Sequence, residues 1–169
     1  MVWLILLMAM PLAAGGAAAG IFEPALKWLR GALAKGGRYH HVFHGEVRLK
    51  SGSWQASGWH HRFMGQDPVD RRVTDILRTD TTGAYAANVE MRGPNGQWIA
   101  KTTKQGNSFF PDNWTPKQVS DTIHEAFANG RAVPGTGGRR WEGFANGMSI
   151  QGSYNQTGKA WNSGWPIIP

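Results

Sequence analysis

The pattern of hydrophobic and polar residues after position 38 is typical of short strands joined by turns. Residues 46–50, EVRLK, alternate strictly, with Val47 and Leu49 on one face and charged side chains on the other. The turn residues SGS follow, and WQASGWH then resumes a strand pattern. We predict an antiparallel hairpin whose register sets residue i opposite about residue 103 − i.

Strand patterns continue along the chain. RVTDIL and AYAANVEM are separated by the turn TDTTG, and RGPNG marks a tight turn before the returning strand QWIAK, which ends at Lys101. After Arg139, Asn-Gly and Thr-Gly turns divide the remaining residues into two or three further strands. Short strands joined by tight turns in this way predict a twisted antiparallel sheet.

Residues 115–130 carry the marks of one long helix. Thr115 suits the capping position, Pro116 suits the first helical position, and Gln118 completes a Thr-x-x-Gln capping box. One face of the helix is apolar and consists of Val119, Ile123, Ala126 and Phe127. Gly130 ends the pattern. The fold class that we predict is α+β, a twisted antiparallel sheet with packed helices.

The N-terminal residues differ from the rest of the chain. Residues 2–22 carry no charged side chain and are nearly long enough to span a bilayer, but they also resemble the core of a signal peptide or an apolar piece of a longer precursor. EPALKWLRGALAK then predicts a helix with Pro24 in its first turn. We favour a connecting helix over one that contacts a membrane. The predicted division is residues 1–37, the hydrophobic segment and connecting helix, and residues 38–169, the folded domain.

The chain is basic and has no cysteine. Its formal charge is +7 and its pI is about 10.1. Such an excess suits anionic partners such as RNA, DNA or acidic lipid, although solubility alone accounts for it about as often. The absence of cysteine excludes disulfides and thiolate metal sites.

Five of the six histidines lie close together in the sequence. They are His40, His41, His44, His60 and His61. If the hairpin ladder continues beyond its first strand pairs, Phe43 lies opposite His60, and His41 lies close to that histidine. The register can slip by one residue, so His61 stays open as an alternative to His60. The sequence therefore predicts two imidazoles side by side.

Two neighbouring imidazoles can move protons in both directions near neutral pH. With an ammonium beside them to offset negative charge, they suit attack by a ribose 2′-hydroxyl on its adjacent phosphodiester. One imidazole takes the 2′ proton, and the other protonates the 5′-oxygen that leaves. This reaction needs no metal or cofactor, and it requires RNA because DNA lacks the 2′-hydroxyl.

A metal site is the competing use of these histidines, because three imidazole nitrogens can bind zinc or nickel. Carboxylates are sparse in the vicinity, with Glu46 and Asp67 the nearest along the chain. Histidines three positions apart on a strand also do not point at one ion. We therefore predict no metal ligand and interpret His40, His44 and His124 as ordinary surface side chains.

Most tryptophans have a spacing that predicts core or half-buried strand positions. These are Trp54, Trp59, Trp98, Trp114, Trp141 and Trp161. Trp165 is our candidate for stacking on a base. Residues 135–140, GTGGRR, lack the Gly-Lys-Ser/Thr ending of a phosphate-binding loop, so we interpret them as a connection, with contact to RNA as the alternative.

Five short segments occur in a characteristic order. They are HVFHGE, GWHH, the lysine-containing WIAKTTK, SFFPDNW and the final SGWP. Together they resemble the bacterial EndoU endoribonuclease domain found at the C-terminal tips of polymorphic and contact-dependent inhibition toxins. The resemblance covers about residues 38–169. It implies the fold shared by barnase, EndoU, colicin-type and RelE-type ribonucleases, and metal-independent cleavage of RNA, often tRNA, to 2′,3′-cyclic phosphate and 5′-hydroxyl ends.

The resemblance also implies positions for the catalytic residues. The first family histidine, four residues before the motif glycine, falls on His41. The second, two residues after the glycine of GWH, falls on His60, with His61 as the fallback. The family lysine falls on Lys101, with Lys104 as the rival because the short loop can be aligned either way.

The C-terminal family pair, usually Ser or Thr followed by an aromatic residue before Pro, falls on Ser163 and Trp165. The tryptophan departs from the common tyrosine, so the resemblance implies base stacking here but no role for a phenolic hydroxyl. In this interpretation His41 and His60 share the base and acid duties. Lys101 steadies the phosphate, and Ser163 with Trp165 positions the base.

The predicted function is an RNase toxin, secreted or delivered, that acts on RNA such as tRNA in the cytoplasm of a target cell. Such a toxin needs a cognate immunity protein in its producer, and the charge of the domain suggests an acidic one. The N-terminal segment is a candidate for membrane contact. The alternatives are a noncatalytic basic RNA-binding module and a metal-dependent hydrolase that uses the histidine cluster.

Overall fold

The computed structural model describes residues 16–169 of the chain, and side chains from residue 20 onward. Its helices are α1 (Gly16–Lys35), α2 (Gly37–Phe43) and α3 (Pro116–Ala128), with a 3₁₀ turn at Phe63–Gly65. Its strands are β1 (Glu46–Lys50), β2 (Ser53–Ser57), β3 (Arg71–Thr79), β4 (Tyr85–Arg92), β5 (Trp98–Ala100), β6 (Asn107–Phe109), β7 (Arg131–Ala132), β8 (Arg140–Ala145), β9 (Met148–Tyr154) and β10 (Trp161–Pro166). The α+β class predicted from the sequence is confirmed.

The strands of the described residues form three antiparallel sheets. β1 and β2 make a hairpin, and β3, β4 and β5 form a second sheet in which β6 also pairs with β4. The third sheet has the order β10–β9–β8–β7. The predicted RGPNG turn joins β4 to β5, where Arg92 pairs with Trp98. The predicted Asn-Gly and Thr-Gly turns connect β8 to β9 and β9 to β10.

Two apolar clusters form the core. The larger one packs the helices against the third sheet and includes Val42, Phe110, Ile123, Trp141 and Ile150. In the smaller one the Trp59 ring packs edge-on against Phe109, with centroids 5.0 Å apart. Trp59 is fully buried, so the core holds the segment that leads from β2 into His60.

The hairpin of β1 and β2 has the predicted register. Glu46 pairs with Ser57, and Lys50 pairs with Ser53. A turn centred on Ser51 and Gly52 therefore sufficed to place the strand pairs. The ladder begins at Glu46, however, and does not extend to the histidines that precede it.

Residues 40–43 are helical, which corrects the prediction that the strand ladder continues through Phe43. Gly45 and Gly58 bound the ladder with φ angles of 70° and 77°, in the left-handed region that favours glycine. A Cβ atom on Gly58 would lie 2.3 Å from the carbonyl oxygen of His41. Because glycine has no Cβ, the end of α2 lies directly against the segment after β2.

Helix α1 begins earlier than predicted. Pro24, expected in its first turn, lies inside the helix. The indole ring of Trp28 packs edge-on against Tyr39 and Phe43 of α2, at 5.9 Å between centroids in both cases. These contacts join α1 to the larger core cluster. Helix α1 is therefore packed on the domain.

The uncharged stretch of residues 2–22 is described only from residue 16, where α1 begins. Its interpretation as a signal, a membrane segment or a precursor piece concerns residues 2–22, of which residues 2–15 lie outside the described residues. Between residues 16 and 169, no helix is long and apolar enough to cross a membrane.

Helix α3 has the predicted capping box and covers one face of the third sheet. The Thr115 hydroxyl accepts a hydrogen bond from the Gln118 N–H at 3.2 Å, and the Gln118 side chain accepts one from the Thr115 N–H at 2.7 Å. Ile123 and Ala126 are fully buried. A Cβ atom on Gly143 would lie 1.9 Å from the Ala126 carbonyl oxygen, so a glycine in β8 permits the helix to approach this closely.

The opposite face of the third sheet, here called the outer face, carries mainly polar side chains together with the exposed Phe144. By strand pairing it carries Arg140 and Glu142 of β8, Gln151 and Ser153 of β9, and Ser163 and Trp165 of β10. Alternate residues of each strand share a face. The outer face is therefore the side of the third sheet that α3 leaves uncovered.

Candidate active site

His41 and His60 lie side by side, although they are not partners in a strand ladder. The Trp59 N–H donates to the carbonyl oxygen of His41 at 2.8 Å, and the His60 N–H donates to that of Val42 at 2.6 Å. These two bonds join the last turn of α2 to the loop after β2. The imidazole rings are 6.1 Å apart between centroids, so both border the same small space.

His60 is a buried imidazole with one nitrogen free. Its Nδ1 lies 2.8 Å from the carbonyl oxygen of Ser108. A carbonyl oxygen only accepts, so Nδ1 carries the hydrogen and Nε2 keeps its lone pair. Burial lowers the pKa of His60 well below its ordinary value, and the charges of Lys101 and His41 lower it further. His60 is therefore a proton acceptor at neutral pH.

Glu46 fixes the orientation of the His41 ring. His41 Nδ1 lies 3.0 Å from Glu46 Oε1. Burial acts to raise the pKa of Glu46, but the hydrogen bond and charge of His41 outweigh it, and the pKa is lowered. The carboxylate is thus ionised at neutral pH and can only accept. His41 therefore donates through Nδ1, which leaves its Nε2 for chemistry and places a negative charge beside the ring.

Lys101 follows β5, and hydrogen bonds tie it to the segment that carries His60. Its Nζ donates to the carbonyl oxygen of Gly58 at 2.8 Å and to Oδ1 of Asn107. Asn107 in turn donates to the carbonyl oxygen of Trp59 at 2.6 Å. Burial lowers the pKa of Lys101 to about 8. Because Gly58 and Trp59 directly precede His60, these bonds fix the amine beside that histidine.

The two alternates from the sequence, His61 and Lys104, lie elsewhere. The His61 ring packs near Phe43 at 5.9 Å and Phe63 at 6.3 Å between centroids. It is almost fully buried, and burial lowers its pKa to about 4. Lys104 is exposed in the turn between β5 and β6. Neither alternate therefore takes part in the hydrogen bonds that hold the side chains of His60 and Lys101.

The remaining histidines lie outside the pair. The rings of His40 and His44 are 4.9 Å apart, one helical turn from each other, and His44 Nε2 lies 3.5 Å from Asp70 Oδ1. His124 is exposed on α3. Over residues 16–169, no three side chains of His, Asp or Glu are grouped as ligands for one metal ion.

Trp165 reaches the site from β10, the strand that also carries Ser163. The Trp165 ring stacks on the His60 imidazole, with centroids 5.7 Å apart and planes inclined by 28°. The guanidinium carbon of Arg140 lies 5.6 Å from the centroid of the same indole. Ser163 is buried, with its hydroxyl oxygen 2.6 Å from that of Ser153. A half-exposed aromatic surface therefore borders the histidines.

Sequence reasoning missed three partners of these side chains, namely Glu46, Asn107 and Ser108. For Glu46 a signal exists, because it is a carboxylate five positions after His41 at the start of a strongly alternating strand. Asn107 and Ser108 lie in β6, which has three residues and no pattern of its own. Their contacts depend on the pairing of β6 with β4, which is not local in sequence.

A buried arginine, Arg71, holds the turn that connects His41 to Glu46. It is 5% exposed. Its Nε donates to the carbonyl oxygen of His44 at 2.8 Å, and its Nη2 donates to that of Gly45 at 3.2 Å. Arg71 therefore acts through the backbone as a positioning residue for the pair formed by His41 and Glu46.

We expect Arg71→Met to destabilise the domain by about 1–3 kcal/mol, because two carbonyl oxygens in the turn lose their donor. Urea unfolding followed by tryptophan fluorescence measures the change. Arg131→Met is the matched control, because Arg131 is 81% exposed and pairs with Glu142 at the surface, an interaction worth about 0–1 kcal/mol. Equal losses in the two variants would contradict the role assigned to Arg71.

Comparison with known proteins gives the chain its family. The family model for the bacterial EndoU nuclease matches residues 36–168. A protein named Toxin from Bacillus cereus is 30% identical over 121 residues, which are 67% of this chain and 20% of that protein. The chain thus spans about a fifth of the length of that relative. No solved structure matches the chain. Because the family model covers nearly the whole described domain, including His41, His60 and Lys101, the chain belongs to the bacterial EndoU nuclease family.

Proposed function

We propose that the domain is a metal-independent endoribonuclease that cuts RNA by attack of a ribose 2′-hydroxyl on its adjacent phosphodiester. The products are 2′,3′-cyclic phosphate and 5′-hydroxyl ends. The observation that carries the proposal is the pair of rings of His41 and His60, 6.1 Å apart, with the Lys101 amine fixed beside His60. Each histidine engages its Nδ1 elsewhere, so the two Nε2 atoms are available for proton transfer.

The surroundings of the two histidines favour different roles. His60 is neutral because burial and the Lys101 charge lower its pKa, so its Nε2 accepts the 2′ proton as the general base. His41 donates through Nδ1 to the ionised Glu46, which is an ionic partner for a protonated ring. His41 is therefore the general acid that protonates the leaving 5′-oxygen. Each transfer is worth about 10²–10⁴ in rate.

Lys101 and Trp165 serve the phosphate and the base. A partly buried ammonium interacts more strongly with the charge that develops on the nonbridging oxygens than one in bulk water, because water screens it less. Trp165 presents its ring beside His60 and can stack on the base next to the cleaved link. Ser163 lies two positions earlier on the same strand face, with its hydroxyl 2.6 Å from that of Ser153, and we assign this pair to positioning that base.

We further propose that the domain acts as a toxin. The similarity to a Bacillus cereus protein named Toxin supports this role, and the charge of +7 suits an RNA substrate such as tRNA. Delivery to a target cell, action in its cytoplasm and an immunity protein in the producer follow from the same role. Membrane contact by the N-terminal segment belongs to this set of proposals as well.

The test incubates the purified chain with total RNA and with a defined tRNA mixture in excess EDTA. We expect discrete fragments whose ends, measured by mass spectrometry, carry cyclic phosphate and 5′-hydroxyl groups. Intact RNA would favour a noncatalytic binding module. Cleavage that stops in EDTA and returns with zinc or manganese would favour a metal-dependent hydrolase. Either result would overturn the mechanism.

The Glu46→Gln variant tests the acid role of His41. An amide accepts a hydrogen bond but carries no charge, so the imidazolium loses its ionic partner. We expect kcat to fall about tenfold, the equivalent of about 1.4 kcal/mol. Glu90→Gln, which removes a carboxylate paired with Arg72 in the second sheet, is the control. Equal kcat values in Glu46→Gln and Glu90→Gln would count against His41 as the acid.

A further inference from the structure

We propose that the open groove beside Trp165, lined by Arg139, Arg140 and Gln151, binds a backbone phosphate of the RNA strand that flanks the cleaved link. This inference rests on the proposed ribonuclease function and adds to it a second contact with substrate. It assigns a role to residues 135–140, whose sequence is compatible with a plain connection as well as with contact to RNA.

The groove lies between the loop that precedes β8 and the strand β9. It has a volume of about 490 Å³ and is lined by Val133, Gly135, Thr136, Arg139, Arg140, Gln151 and Ser153. The Thr136 hydroxyl donates to the carbonyl oxygen of Val133 at 2.8 Å, and the Arg140 N–H donates to that hydroxyl at 3.3 Å. These bonds close the loop on itself, so the two arginines stand at a defined position at the edge of the sheet.

The charge of the groove is positive. None of its lining residues is acidic. The side chain of Arg139 donates to the carbonyl oxygen of Thr136 at 3.0 Å, and Arg140 donates to the amide oxygen of Gln151 at 3.4 Å. Among the described residues, neither guanidinium forms an ion pair with a carboxylate. Two guanidinium groups that contact only neutral acceptors suit the oxygens of a phosphate.

The nearest acidic side chain on the outer face is already engaged. Glu142 lies in the next row of β8, beside Gln151 in the strand pairing. Its Oε1 accepts from Nε of Arg131 at 3.0 Å. The carboxylate thus has a cationic partner in Arg131, which is not among the residues that line the groove.

The groove continues the surface that borders the two histidines. The Arg140 guanidinium lies 5.6 Å from the Trp165 ring, and that ring lies 5.7 Å from the His60 imidazole. Both contacts involve Trp165, which lies on the outer face. A strand with one base on Trp165 and its cleaved link at His60 therefore carries its next phosphates past Arg140. This continuity favours RNA over an acidic protein as the occupant.

The first experiment measures binding to a single-stranded oligodeoxynucleotide, which cannot be cleaved because it lacks the 2′-hydroxyl. We expect Arg140→Gln to weaken binding about tenfold, as for one charge-assisted hydrogen bond, and to reduce the salt slope by about 0.7. Arg92→Gln is the matched control. Arg92 is also an exposed strand arginine over an indole, at 5.0 Å from Trp98, but it lies in the second sheet.

The second experiment locates the phosphate. The substrate is an oligodeoxynucleotide with a single ribonucleotide, so that only one link can be cut, and each flanking phosphate in turn is replaced by an uncharged methylphosphonate. We expect one replacement to lower kcat/KM about tenfold in the wild type. In Arg140→Gln the same replacement should lower kcat/KM little further, because the contact with the phosphate is already lost. Arg139→Gln should show the same coupling.

Two results would overturn the inference. One is an equal loss of binding in Arg140→Gln and Arg92→Gln, which would indicate a general charge effect. The other is a set of methylphosphonate penalties that are the same in wild type and Arg140→Gln, which would leave the groove to another class of partner such as an acidic protein. The binding experiment does not depend on cleavage, so failure of the ribonuclease proposal would be recognised separately, by intact single-ribonucleotide substrate.

Discussion

The His60→Ala variant is expected to cleave RNA about 10²–10⁴ times more slowly than the wild type, because it loses the general base. The imidazole cannot be replaced by a neighbour. His41 has its Nδ1 bound to Glu46 and serves the opposite proton transfer, and the His61 ring packs near Phe43 and Phe63. Single-turnover cleavage of a defined RNA measures the loss.

The control for this experiment is His124→Ala, which removes an exposed imidazole from α3 and should leave the rate unchanged. His60→Gln is the second variant, because a polar side chain of similar length preserves more of the packing under Trp165. Both His60 variants should unfold cooperatively in urea. A rate within a few-fold of the wild type in a folded His60 variant would rule out its role as the base.

The Lys101→Met variant is expected to lower kcat about 10²–10³-fold, the size of effect seen when one preorganised stabilising group is removed. Methionine keeps much of the length and volume of the lysine side chain but has no positive charge. Lys104, the alternative to Lys101 in the sequence, supplies a matched control. Lys104→Met removes an exposed lysine three positions further along and should change kcat little.

The pH–rate profile separates the charge of Lys101 from a merely structural role. Burial and then the Lys101 charge lower the pKa of His60, so removal of the charge should raise that pKa toward its ordinary value. The acidic limb, which reports the base, should then move to higher pH. In the wild type the Lys101 contribution fades as pH rises through its pKa of about 8. An acidic limb that stays in place in Lys101→Met would contradict this coupling.

Local sequence patterns correctly predicted the β1–β2 hairpin and the start of α3, which depend on interactions between residues close in the sequence. The hairpin register was predictable because the turn at Ser51 and Gly52 sets which residues pair. The capping box of α3 was predictable because Thr115 and Gln118 satisfy each other within one turn. The placement of Trp165 beside a histidine came from the family resemblance, since no local pattern links β10 to His60.

The stretch around His41 was mispredicted as a strand for a definable reason. HHVFH can be written as alternating or as helical, because His40 and His44 are also four positions apart. What decides the outcome is nonlocal: Gly45 and Gly58 end the ladder, and α2 packs where Gly58 has no side chain. The predicted proximity of the two histidines is found in the structure, but it arises from backbone bonds between α2 and the loop after β2.

The site residues come from distant parts of the chain, and the domain is active only when these parts are together. His41, His60, Lys101 and Trp165 come from α2, the loop after β2, the end of β5 and β10. Contacts between such distant parts of a chain form only after long loops have closed, and they are slow to assemble. A chain with only its hairpin and α3 in place would not bring these four side chains together. On refolding from denaturant, regained RNA cleavage should therefore coincide with burial of the core tryptophans and not precede it.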